Sequence, residues 1–242
     1  MNEKGLTIEE LLDVVNQLPK DMECLKPIGR LCTDEKESYQ KAYEHFIHTN
    51  NNTCLNGENL NDDNVIKGQA LESLVSLLFE STGGFFEVYR NIRNGSNEVD
   101  LFVGFSQKGK IFSGILDNKF SNIVCECKNY GKNVDVTYVG KFYSLLNSTN
   151  NKLGIMFSYG GMTGKSWGAA KGLTKKLFLL REKEDDKIYI LDFNKTDFEK
   201  ILDGESLFDI LENKCKSLKM GVDDITKYIV KHPNEDEAVS KK

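Results

Sequence analysis

Ile123-Val124-Cys125-Glu126-Cys127-Lys128 opens as an apolar run and closes on a carboxylate and an ammonium two residues apart. In a β-strand alternate side chains share a face, so Glu126 and Lys128 project together, roughly 6.5 Å apart along the strand. An exposed ion pair of that kind contributes about 0–1 kcal/mol and needs no function. Two other acidic features change its weight. Glu98-Val99-Asp100-Leu101-Phe102-Val103 reads as a second acidic strand, and Glu72 stands in a helical stretch before it. Three separate elements can thus bring acidic groups to one metal site.

Upstream, residues 65–81 carry Ala70, Leu71, Leu74, Val75, Leu77, Leu78 and Phe79 at helical spacing and end at Gly83-Gly84. Glu72 lies at the border of this stripe, with apolar Val75 and Phe79 as its helical neighbours; a carboxylate buried there without a partner is too costly to be idle. Strands are expected over 85–91 and 98–105, joined by the turn Asn94-Gly95-Ser96-Asn97. Residues 106–120 show no clear period and read as a loop or hairpin excursion. Downstream come a turn at Asn129-Tyr130-Gly131, a helix over 136–146, a strand over 153–158, a glycine-rich turn, a helix over 166–181 and a strand over 187–193. Strands alternating with helices imply parallel pairing, with helices on the faces of the sheet. Short helical patterns follow near 198–211 and 223–231, and the polar tail is expected to be disordered.

The first sixty residues look helical and separate. Thr7-Ile8-Glu9-Glu10 has the form of a capping box, and Leu11, Leu12, Val14, Val15 and Leu18 form a stripe that Pro19 ends. A second helix is expected over 34–48, followed by a polar linker to Asn64. The resulting division is 1–60 as a helical accessory region, 65–215 as the main domain and 216–242 as a short helix with its tail.

The chain has 242 residues, an ordinary balance of apolar and charged groups and no apolar run near the roughly 20 residues that span a bilayer. Its amino terminus lacks the layout of a signal peptide, so a cytoplasmic protein without a membrane partner is expected. Six cysteines are scattered without a disulfide framework and read as reduced thiols. Cys24, Cys32, His45, His48 and Cys54 can be imagined around zinc, but the usual closely spaced cysteine pair is missing. Net charge is −5, yet residues 128–183 hold ten Lys and Arg against Asp135 and Glu182, a local +8 on a remainder of −13. Such asymmetry suits a polyanion-binding face on an otherwise acidic protein, or a solvated lysine-rich helix.

The succession of a helix bearing Glu72, a strand bearing Asp100 and a strand ending Glu126-Cys127-Lys128 resembles the PD-(D/E)xK nuclease superfamily. Gly68-Gln69-Ala70-Leu71-Glu72, Glu98-Val99-Asp100-Leu101, Glu126-Cys127-Lys128-Asn129-Tyr130 and the Gly-Thr-Gly turn before an alanine-containing helix look most like Mrr-type restriction endonucleases. The likeness covers residues 65–193. It implies an α/β restriction-endonuclease-like core, a mixed central sheet flanked by helices, with a small helical N-terminal region. It further implies a DNA endonuclease using Mg2+, or Mn2+ in its place. Asp100 and Glu126 would be metal ligands, with the Cys127 carbonyl and Glu72 as further ones, and Lys128 would orient or deprotonate water. The family often has proline before its aspartate, where this chain has Val99, and Mrr-type proteins often have glutamine where this chain has Glu126. Lys132, Lys165, Ser166, Lys171 and Lys175 are candidates for gripping DNA phosphates. Cleavage of both strands suggests a homodimer. A junction-resolving nuclease and a non-catalytic DNA-binding module share the same motif arrangement.

One motif competes. Tyr159-Gly160-Gly161-Met162-Thr163-Gly164-Lys165-Ser166 resembles a phosphate-binding loop after the 153–158 strand, one residue short, with Asp192 as a possible magnesium-binding strand end. That alternative is nucleotide hydrolysis.

Overall fold

The computed structural model describes residues 7, 28–31, 33–51, 60–93, 98–114, 116–164 and 168–230, the side chains of 60–63 excepted. The expected first helix, the 94–97 turn, Cys24, Cys32, Cys54, Lys165, Ser166 and the tail beyond 230 lie outside them.

Alternation within the strands divides the protein into two packed layers around one sheet. Five strands, β1 (Phe86–Arg93), β2 (Glu98–Phe105), β3 (Asn122–Lys128), β4 (Leu153–Ser158) and β5 (Tyr189–Phe193), lie side by side in chain order. The first three pair antiparallel, and β3–β4–β5 pair parallel. The sheet is therefore mixed. The expected parallel order holds only where helices intervene: α4 (Val136–Ser148) crosses from β3 to β4, and α5 (Ala170–Leu179) from β4 to β5.

Helix α2 (Leu60–Glu80) covers one face. Its Leu71, Leu74, Val75, Leu78 and Phe79 are buried with Leu101, Val103, Cys125 and Cys127. The other face packs Val124, Met156 and Ile190 against Val139, Phe142 and Leu146 of α4. Gly154 allows this approach, since a Cβ there would stand 2.6 Å from the Phe142 ring and from the Leu146 side chain. The Asp135 carboxylate accepts the Thr137 N–H at 2.8 Å and so caps the start of α4.

Residues 106–120 contain a short helix, α3 (Gln107–Ile111), and two 3-10 turns, Phe112–Gly114 and Asn118–Ser121. Five residues are too few to show a helical period, which is why the stretch reads as irregular. The 198–211 pattern resolves into two helices, α6 (Lys195–Leu202) and α7 (Leu207–Lys219), broken at Gly204, which has a φ of +93°.

Helix α1 (Thr33–Asn51) is not set apart from the sheet domain. Tyr39 and Phe46 are fully buried in the same core as the sheet, with the Phe46 ring 5.6 Å from that of Phe198 on α6. The Tyr43 hydroxyl donates to Glu199 at 2.9 Å. At the other end, residue 215 lies inside α7.

Candidate active site

Antiparallel pairing of β2 and β3 places the start of one strand beside the end of the other. Leu101 pairs with Cys125 and Phe102 with Val124; continuing that register by one residue sets Asp100 beside Glu126. The two carboxylates and Lys128 form a partly buried cluster, their side chains 18%, 18% and 16% exposed. The Lys128 ammonium lies 2.5 Å from Glu126 Oε1 and 4.0 Å from Asp100 Oδ2. Asp100 Oδ2 also accepts the Cys127 N–H at 2.7 Å, so the backbone between Glu126 and Lys128 holds the neighbouring carboxylate in place. The Cys127 thiol is buried in the core, which leaves only its backbone for the site.

Glu72, half-buried on α2, joins this cluster through charge. Burial first, then repulsion from Asp100, raises its pKa. The same two causes raise that of Glu126, despite its contact with Lys128. Burial alone pulls the Lys128 ammonium down, but Glu126 and Asp100 override it and hold the pKa well above its ordinary value. The opposite signs follow from charge: the Glu72 and Glu126 carboxylates are pushed up by burial and then by Asp100, while Lys128 gains more from Glu126 and Asp100 than burial takes away. The cluster carries net negative charge in a poorly solvated place.

That excess tests the implied metal. Hard oxygen donors with surplus negative charge suit Mg2+ or Mn2+, which take carboxylate, carbonyl and water ligands. The charge and donor chemistry of the Asp100 and Glu126 carboxylates therefore fit a divalent cation. Among the described residues no group of three or more His, Cys, Asp or Glu side chains that could hold a metal ion is found. Lys128 contacts Glu126 and the Cys127 N–H contacts Asp100, whereas Glu72 meets the cluster through charge.

Asn129 is a functional candidate that motif reading passed over. It is 2% exposed, and its Nδ2 donates to the Lys67 carbonyl at 2.9 Å. This ties the first half of α2, which leads to Glu72, to the end of β3. Asn129 stands within the Glu126–Tyr130 motif, but an asparagine after a strand usually signals only a turn, and the motif reading assigns no role to it.

The phosphate-gripping candidates are dispersed. Lys132 is exposed on the loop after β3. Lys171 lies 3.5 Å from Asp192, and Lys175 pairs with Asp223 at 3.3 Å while donating to the Gly221 carbonyl at 3.1 Å. Both lysines line a cleft of about 370 Å³ bounded by α5, α6 and α7. That cleft does not include the carboxylate cluster, and carboxylates neutralise its lysines, so the charge asymmetry of the sequence overstates the basic face.

The competing phosphate-loop reading meets an obstacle. The Gly161 N–H donates to Ser158 Oγ, the Met162 N–H to Asp192 Oδ1 and the Thr163 N–H to the Val134 carbonyl. These amides are spent on the protein and cannot cradle a phosphate. Helix α5 begins only at Ala170, whose N–H is taken by Thr163 Oγ1. Asp192 holds the loop, and its second neighbour is Lys171.

A mixed five-stranded sheet with helices on both faces, and an Asp, Glu and Lys cluster where β2 and β3 meet, defines a restriction-endonuclease-like α/β protein. A family model for the Mrr catalytic domain, described as restriction endonuclease, matches residues 64–184; this is half of the chain, which belongs to the Mrr-type restriction endonuclease family. No curated protein and no solved structure matches it. Among the described residues no helix is long and apolar enough to cross a membrane.

Proposed function

We propose that this chain is a divalent-metal-dependent DNA endonuclease of the restriction type, which hydrolyses phosphodiester bonds at the Asp100, Glu126 and Lys128 cluster. The observation that carries the reading is the meeting of two carboxylates and one lysine from adjacent strands, with Glu72 adding unbalanced negative charge nearby. Asp100 and Glu126 would hold Mg2+ or Mn2+, with the Cys127 carbonyl and a water-linked Glu72 completing the protein's share. A bound cation of this kind neutralises charge on the phosphate and makes water acidic enough to attack at neutral pH.

The protein residues divide the remaining work. Two carboxylates hold Lys128 as a cation, which suits orienting water and balancing charge on the phosphate better than removing a proton. The Cys127 N–H fixes Asp100 so that its free oxygen keeps one direction. Cleavage of both strands of a duplex needs two such sites, so a homodimer is the proposed working unit.

Nicking of supercoiled plasmid tests the reading. Wild type should nick with Mg2+ or Mn2+ and not in EDTA, while Asp100→Asn and Lys128→Met should each lose at least about 100-fold, the scale of removing one positioned charge from an active site. Equal nicking by all three proteins would overturn the assignment. Comparison of unmodified duplex, methylated duplex and four-way junctions then separates restriction from junction resolution.

A further inference from the structure

Beside the carboxylate cluster stands an aromatic pair. Tyr130 follows β3 by two residues and is 46% exposed, an unusual position for a large ring next to a partly buried charge cluster. Gly131, with a φ of +68°, turns the chain away directly after it. The Tyr130 ring lies 6.2 Å from that of Tyr138 on α4, inclined by 31°, and Tyr138 is half-buried with its backbone N–H in the Asp135 cap. The Lys128 ammonium lies over both rings, 5.9 Å from the centre of Tyr130 and 6.0 Å from that of Tyr138. Tyr130 thus packs near Tyr138 and Lys128, and its 46% exposure leaves ring surface open to solvent.

We infer that Tyr130 is a base-stacking platform, and that the substrate carries an unstacked base beside the scissile phosphate, as in single-stranded or locally opened DNA. The inference rests on the nuclease reading above. The ring is near enough to Lys128 that a base attached to the phosphate held there can lie against it. In a continuous duplex both faces of every base are already covered, so a paired base must leave the stack to reach Tyr130, whereas a single-stranded base reaches it at little cost. Stacking on an aromatic face is tolerant of sequence, because every base has one. The adjoining exposed Lys132 suits the next phosphate along the strand.

The test uses single-stranded oligonucleotides carrying 2-aminopurine, with Ca2+ in place of Mg2+ so that binding is read without turnover. Wild type should quench the 2-aminopurine fluorescence, and Tyr130→Phe should do the same. Tyr130→Leu should abolish the quenching and weaken binding about 5- to 150-fold, the range for loss of one aromatic–base stack. Quenching and affinity unchanged in Tyr130→Leu would overturn the inference. Failure of the nuclease reading has a different signature: no Mg2+-dependent cleavage of single-stranded or duplex oligonucleotides by wild type.

Discussion

Substitution of Asp100 by alanine and by asparagine separates its two tasks. Both changes remove the same negative charge, so the electrostatic relief of Glu126 and Glu72 is common to both and cancels in the comparison. They differ at Oδ2, which accepts the Cys127 N–H at 2.7 Å. Asparagine keeps a neutral acceptor there; alanine orphans a backbone donor on a residue only 6% exposed. Leaving such a donor unsatisfied costs about 1–3 kcal/mol, and a neutral acceptor recovers part of that. Asp100→Ala should therefore be less stable than Asp100→Asn by about 1–2 kcal/mol, or about 2–8 °C in Tm for a chain of this length. Thermal melts in EDTA measure the difference, and plasmid assays should show both variants equally inactive. Coincident melts would mean that Asp100 does not support the β3 backbone and is not held in place by the Cys127 N–H.

Glu72→Gln should raise the Tm of the metal-free protein at pH 7–8. Its pKa is raised by burial and by Asp100, so the ionised form destabilises the fold as pH rises through the folded pKa, and the gain should vanish as pH falls to about 4.3, where the unfolded carboxyl titrates; a pH series of melts in EDTA checks this, and a pH-independent gain would contradict the cause given. For DNA binding, Lys132→Ala should flatten the log K against log salt slope by about 1. Lys171→Ala should change the slope by less, because Asp192 already neutralises Lys171 at 3.5 Å; anisotropy at four salt concentrations distinguishes the two. Phe46→Ala should cost about 3–5 kcal/mol, the range for a large-to-small change in a core, since the ring is fully buried against Phe198. A full-length Phe46→Ala that melts within 2 °C of wild type would return α1 to the status of a detachable accessory.

The sequence carried the fold class because strands and crossover helices leave periods that survive without tertiary context. Leu153–Ser158 is apolar up to Phe157, the mark of a central strand, and its bounds are those of β4. The residue types in Glu126-Cys127-Lys128 and Asp100 pointed to one site because carboxylates and a lysine at apolar strand ends have few other uses. Elements too short to show a period, such as Gln107–Ile111, were not legible, and neither was the packing of α1, since an amphipathic helix does not reveal which surface its Phe46 will meet.

The site itself divides along the same line. Residue order alone determined that Glu126 and Lys128 share a strand face and that Glu72 precedes them on a helix. Only the tertiary structure decided that the Cys127 N–H holds Asp100 and that Lys171 and Lys175 are neutralised by Asp192 and Asp223. Chain-local periodicity governs which face a side chain takes, but charge neutralisation depends on partners 21 to 48 residues away in sequence, and those distances close only when the sheet forms. The Glu126 and Lys128 pair is thus readable as a motif, while its electrostatic state, set by burial, by Asp100 and by two tyrosine rings beside the ammonium, belongs to the fold.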